Sequence, residues 1–287
     1  MKQRRGGVDN ANDARAANAA ALIGAGSSAD GGQVRKKARV EGRGGAAAID
    51  AQDTADRAAD THLALPSPTF RHRNAAIAMM TTIVRDGYNA PGIAAKYTKD
   101  RAAIEQAPKH VAWLDALRPM MPASGRVVDL GCGGGVPVTQ YFAERAGYAP
   151  VDGYDVSAEM IAIARGAVPS GASFHEARME DLAFDAGSVD VVVSLFAVSH
   201  LPRGQHAALF RRMFSWLRPG SGVALLSLGG TDNAYQQETI AHGVPMAWSH
   251  FDADTNLRLL KEAGFGEAVW SETTSSEMFV LVRRPPD

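Results

Sequence analysis

The chain has one cysteine, Cys132, in 287 residues. That excludes an internal disulfide and any metal site built of cysteines alone, and so sparse a use of cysteine fits a reducing compartment. Charge of neither sign is in excess: 30 Lys and Arg stand against 31 Asp and Glu, a formal net charge of -1. Nothing therefore draws the whole chain to nucleic acid or to an anionic membrane. No apolar run approaches the ~20 residues that span a bilayer. The basic N-terminus is followed by Ala, Asn and Asp, not by the apolar core of a signal peptide. The expectation is a cytoplasmic protein with no membrane span and no nucleic-acid partner. No internal repeat is visible.

Residues 1 to about 68 lack large aliphatic and aromatic residues almost completely and are rich in Ala, Gly, Asp and Arg. Such a stretch cannot bury enough apolar surface to offset the entropy of ordering, so a disordered tail is expected over 1–68, with a transient Ala-rich helix near Ala51 to Ala59. The basic run Arg35-Lys36-Lys37-Ala38-Arg39 reads as a solvated patch balanced by nearby acids, ahead of a nuclear-import or phosphate-binding reading. One folded domain is expected over 69–287.

What is there centres on Arg126 to Gly135, R-V-V-D-L-G-C-G-G-G. Val127, Val128 and Leu130 make an apolar strand that runs into a glycine-rich turn. Glycines at 131, 133 and 135 allow positive φ and let a ligand approach with no Cβ in the way. Pro137 suits a helix start. A helix N-terminus behind a glycine loop, at the carboxyl end of a parallel strand, is where nucleotide-like ligands bind. Two acids sharpen the reading. Asp129 ends an apolar strand, where an unpartnered carboxylate is costly. Asp155 closes V-D-G-Y-D, roughly 20 residues beyond the glycines, where a carboxylate can accept hydrogen bonds from ribose hydroxyls.

The rest alternates strand and helix. Helical patterns are expected at Ala75 to Val84, within Tyr88 to Arg101, at Val111 to Leu117, at Val138 to Ala146, after Ser157, from Pro202 and over Thr255 to Ala263. Strands are expected at 126–130, 151–154, 173–177, 189–195 and 222–228. A loop-rich stretch runs from Gly229 to Asp252, and two last β-runs cover about 267–271 and 278–282. The fold class expected is α/β. It is a doubly wound, Rossmann-like, mostly parallel seven-stranded sheet with helices on both faces, and the last two runs pair antiparallel at one edge.

The segments V-V-D-L-G-C-G-G-G, G-Y-D-V-S-A-E-M-I, M-E-D-L-A-F-D-A-G-S-V-D-V-V-V-S and L-R-P-G-S-G together resemble the class I S-adenosylmethionine-dependent methyltransferases. Within that class they look most like the small-molecule branch related to quinone-biosynthesis enzymes. The resemblance runs from about Tyr88 to the C-terminus. It implies S-adenosyl-L-methionine as cofactor and a small-molecule methyl acceptor as partner. It places Asp129, Gly131 and Gly133 at the methionine half of the cofactor and Asp155 at the ribose. Val156 and Met160 would lie beside the adenine, with Met179 and Glu180 on the loop that covers it. Ser194 and Leu195 would lie near the sulfonium, and Tyr97 and Arg101 on a helical segment that meets the cofactor carboxylate. One departure stands out. Many relatives carry Asp where this chain has Arg178, and an arginine cannot accept a hydrogen bond from the adenine amine. Glu180 or a backbone carbonyl would then take that role, or binding would be weaker.

A sulfonium is already an activated electrophile, so catalysis is mostly alignment, and a base is needed only if the acceptor must lose a proton. His200 is the first candidate base, with a structural role at the next helix as its alternative, and His250 is the second. The stretch from Gly229 to Asp252, with Trp248 and Phe251, suits a lid over a partly apolar acceptor. Two other functions stay open: a cofactor-binding module without catalysis, and a nicotinamide oxidoreductase. The latter is disfavoured because no Y-x-x-x-K pair follows the sheet strands.

Overall fold

The computed structural model describes residues 79–102, 107–145, 147–239 and 243–287. The tail expected over 1–68, the transient helix near Ala51 to Ala59 and the start of the helix expected from Ala75 lie outside the described residues. Three helices come first: α1 (Met80–Asn89), α2 (Ile93–Ala102) and α3 (Ala107–Leu117). Five strands then run parallel: β1 (Val127–Leu130), β2 (Val151–Asp155), β3 (Ser173–Glu176), β4 (Val191–Ser194) and β5 (Val223–Gly229). Between them lie α4 (Val138–Gln140), α5 (Ala158–Ala167) and α6 (His206–Trp216). A separate hairpin follows, β6 (Asn233–Thr239) with β7 (Pro245–His250), and then α7 (Ala253–Glu262). The chain returns to the sheet as β8 (Trp270–Thr273) and β9 (Glu277–Arg283), which pair antiparallel as expected.

The sheet order is β3-β2-β1-β4-β5-β9-β8, with β9 reversed between β5 and β8. β1 and β4 are neighbours, and the winding changes direction between them. The crevice at their carboxyl ends is the topological switch point, where ligands of doubly wound sheets bind. β4 is buried along its whole length, so its near-continuous valine run faces helices on both sides. Val191 and Val193 join Val127, Leu225 and α3 residues Leu114 and Leu117 on one face. Val192 joins Val128, Leu226 and α6 residues Leu209, Phe210 and Met213 on the other. The period of two along each strand thus builds two cores, one per face.

Local chemistry sets several boundaries. Ser157 caps α5: its hydroxyl accepts the Met160 amide at 3.1 Å. Asp252 caps α7, taking the Thr255 amide at 2.8 Å. Each such cap is worth about 1 kcal/mol. The structure differs from expectation in three places. The helix expected over 138–146 is one turn, α4, followed by a wide π-type turn at Tyr141–Arg145. The helix expected from Pro202 begins at His206, after a 3₁₀ turn at Arg203–Gln205. The stretch from Gly229 to Asp252 is the β6–β7 hairpin, not a loop. That hairpin is held from outside its own sequence: Met246 and Ala247 of β7 are buried against Met80 and Val84 of α1.

Candidate active site

The glycine turn leaves β1 and folds back onto β2. The amides of Gly131 and Cys132 both donate to Tyr154 O, at 2.7 and 3.0 Å. Gly131 has φ 75°, and a Cβ there would sit 2.2 Å from the Ala197 methyl. A Cβ on Gly134 would meet the Thr98 hydroxyl of α2 at 2.4 Å. The loop therefore requires glycine once for conformation and once for the approach of a helix. Asp155 clasps the loop. Its Oδ2 accepts the Gly133 amide and its Oδ1 the Ser157 amide, each at 2.9 Å. Burial raises its pKa, and the backbone amides that bond to it pull it back down.

A cleft of about 640 Å3 opens beside this clasp. Gly131, Gly133, Asp155, Val156, Met160, Met179, Glu180, Leu195, Tyr97 and His200 all line it. Asp129 and Arg101 line an adjoining cleft of about 510 Å3 on the other side of the glycine loop, shared with Tyr97, Gly131 and Gly133. Asp129 is buried, accepts the Thr139 hydroxyl at 2.6 Å, and is pushed by burial up to about pKa 7. Ser194 differs from the sequence expectation. It is buried and donates its hydroxyl to Leu130 O at 2.8 Å, so it ties β4 to β1 and does not line the clefts. A strand-end hydroxyl in a sheet buried on both faces meets its neighbour's carbonyl first.

A third and larger space, about 1060 Å3, lies under the hairpin. Tyr88, Tyr97, Arg101, Phe196, Trp248, His200, His250 and Glu277 are on its walls. His200 lines both this chamber and the first cleft. Its Nδ1 lies 2.8 Å from Ala247 O, and its ring packs 5.6 Å from Trp248. A carbonyl only accepts, so Nδ1 carries the proton and Nε2 carries the lone pair. Burial, with a smaller push from Arg101, lowers the His200 pKa and keeps the ring neutral. His250 is a weaker base candidate: it is half-buried on the chamber wall, with Nδ1 2.7 Å from Thr231 O. Arg101 donates to Tyr97 OH at 3.0 Å and lies 4.1 Å over the Phe196 ring. Phe196 is held at φ 61°, left-handed for a non-glycine residue, two residues past the end of β4.

Residues 127–220 match a family described as a methyltransferase domain. That match spans the strand, the glycine loop and the Asp155 clasp. That segment is similar to a methyltransferase domain. Among curated relatives, a ubiquinone biosynthesis O-methyltransferase from Xanthomonas axonopodis pv. citri is 34% identical over 139 residues, covering 45% of this chain and 56% of that protein. Phosphoethanolamine N-methyltransferase 1 from Triticum aestivum is 29% identical over 166 residues, covering 57% of this chain and 32% of that protein. The chain thus spans about half, or less, of the length of these relatives. Among solved structures, Synechocystis magnesium protoporphyrin IX methyltransferase shares the fold at TM-score 0.51 and 20% identity, covering 78% of this chain and 100% of that one. Burkholderia thailandensis 1,6-didemethyltoxoflavin-N1-methyltransferase does so at TM-score 0.51 and 21% identity, covering 78% and 93%. The matching family and these relatives are methyltransferases, which leaves the oxidoreductase alternative without support.

Several wall residues of these clefts carry no signature in the sequence. Thr81 and Tyr88 come from α1, Thr98 from α2, Ser227 from β5 and Glu277 from β9. The signal for Tyr88 and Thr98 was there in part, since both lie in the segment that the resemblance places over the cofactor. For Thr81, Ser227 and Glu277 nothing local distinguishes them; only the packing of α1 and the reversed β9 brings them in.

Proposed function

We propose that this chain moves a methyl group from S-adenosyl-L-methionine to a small-molecule acceptor that occupies the chamber under the hairpin. The observation that supports the reading most is the Asp155 clasp at the switch point: a buried carboxylate on the cleft wall, next to a loop on which a Cβ would collide. The residues present fit that cofactor. Asp155 would hold the ribose hydroxyls, Val156 and Met160 the adenine faces, and Asp129 and Arg101 the charged ends of the methionine half. When bound, the cofactor supplies a methyl group already activated for in-line displacement. The chain's own part is alignment and exclusion of water by α1, α2 and the hairpin. His200 Nε2 takes the proton of an acceptor that must lose one.

S-adenosylhomocysteine binding by calorimetry tests the cofactor half, and a tritiated-methyl assay against metabolite extract tests transfer. Asp155→Ala should weaken binding by roughly 1.5–3 kcal/mol, the worth of hydrogen bonds to a charged group. Unchanged affinity would remove Asp155 from the site. Binding with no label transferred to any extract component would favour the module without catalysis.

A further inference from the structure

We propose that Glu277, the first residue of β9, makes the chamber under the hairpin a site for a cationic acceptor: its carboxylate holds an ammonium group that the acceptor carries away from the atom to be methylated. The proposal rests on the acceptor reading above. Glu277 and His250 line the chamber but neither of the two clefts beside the glycine loop, so they face the acceptor and not the cofactor. The fold brings the two to the same end of the sheet. Glu277 pairs with Gly229 across β9 and β5. A Cβ on Gly229 would sit 2.1 Å from His250 Nδ1, so the bare glycine seats the His250 ring against the end of β5. The turn between β8 and β9 fixes the main chain of Glu277. Its amide donates to Thr274 Oγ1 at 3.0 Å and its carbonyl accepts the Thr274 amide at 2.7 Å. Its side chain is half-buried, yet the carboxylate takes no hydrogen bond and no ion pair among the described residues. Burial pushes its pKa up, and Arg101 and His250 pull it down. His250 Nδ1 lies 2.7 Å from Thr231 O, and a carbonyl only accepts, so Nδ1 carries the proton and Nε2 the lone pair. Arg101 is the one Arg or Lys among the described wall residues. It is engaged by Tyr97 OH and the Phe196 face and, in the cofactor reading, by the methionine carboxylate. A half-buried carboxylate near a ring-nitrogen lone pair calls for a donor, and an ammonium supplies both the charge and the hydrogen bonds. The ring faces of Tyr88, Phe196 and Trp248 on the same walls suit a cation as well. A carboxylate or phosphate on the acceptor would meet like charge at Glu277.

The experiment is the tritiated-methyl assay of the full chain against metabolite extract separated by ion exchange at neutral pH into cationic, neutral and anionic fractions. Label should appear in the cationic fraction. Label confined to the neutral or anionic fraction overturns the proposal and leaves the methyl-transfer reading intact. The labelled acceptor is then purified and its kinetics compared in wild type and Glu277→Gln, which keeps the shape and removes the charge. KM should rise by about tenfold or more, the worth of a charge-assisted hydrogen bond, with kcat much less affected. The dissociation constant for S-adenosylhomocysteine should not move. A residue that merely supports the β8–β9 turn would not separate KM from kcat, so an unchanged KM, or equal losses in both, overturns the assignment to Glu277. The fraction result needs no variant, so a Glu277→Gln protein that fails to fold leaves the test standing. A wild-type protein that binds S-adenosylhomocysteine but labels no fraction removes the acceptor reading and this proposal together, and one that does not bind it removes the cofactor reading as well.

Discussion

Two titratable residues on the cleft walls, Asp129 and His200, owe their protonation state to burial. Asp129 has an ordinary carboxylate value of 3.8 that burial moves to about 7, against the pull of the Thr139 hydroxyl. The sign follows from linkage. Between those values the folded state keeps a proton that the unfolded chain has lost, so the contribution of Asp129 to stability falls as pH rises from about 4 to 7 and is level above. Asp129→Asn removes that loss, because the amide stays neutral and its oxygen can still accept from Thr139. Thermal melts at pH 5 and pH 7.5 should show the variant gaining on the wild type at the higher pH. Parallel pH slopes for the two proteins would show that Asp129 titrates as an ordinary carboxylate. His200 is the complementary case: burial favours its neutral ring, and the Ala247 carbonyl decides which nitrogen is free to take a proton.

At the scale of elements, the β6–β7 hairpin decides what reaches His200. β6 reads N-A-Y-Q-Q-E-T and is mostly exposed, with a bulge in its pairing between Asn233 and Gln236. It carries no apolar alternation, so nothing in its own residues marks it as a strand. β7 is set by α1 below it and by cross-links: Ser249 Oγ donates to Ala234 O at 2.6 Å and accepts the Arg203 amide at 3.0 Å. A hairpin fixed in this way is a roof over the chamber. Trp248 lines that chamber and not the first cleft. Trp248→Ala should therefore leave the dissociation constant for S-adenosylhomocysteine nearly unchanged while slowing methyl transfer by about 10–100-fold, through loss of acceptor alignment. An equal loss in both measurements would place the roof in the cofactor site.

Across the whole molecule, the first 68 residues are proposed to be dispensable, since their composition cannot form a core. A chain beginning near Phe70 should bind S-adenosylhomocysteine as the full chain does; a folded truncation that has lost binding would make the tail part of the site. A chain beginning at Gly92 should behave differently. It lacks Thr81, Val84 and Tyr88 from the cleft wall and uncovers Met246 and Ala247 of the hairpin. The strands, the glycine turn and the position of Asp155 at the end of the second strand were legible in the sequence because each is local. Near-continuous apolar runs dictate strands buried on two faces, and a glycine turn followed by an acid at the end of the next strand brings the two together once β1 and β2 pair. Ser194 bonds Leu130 O instead of lining the clefts, and Thr81, Ser227 and Glu277 went unread. Their roles depend on which carbonyl, carboxylate or cavity the fold brings near a small polar side chain. The sequence by itself determined the strand order's raw material, the glycine loop and the acid that closes β2. Only the tertiary structure decided that a polar stretch becomes a hairpin and that Ala247 sets the tautomer of His200. These are contacts between residues far apart in the chain, and no local periodicity encodes them.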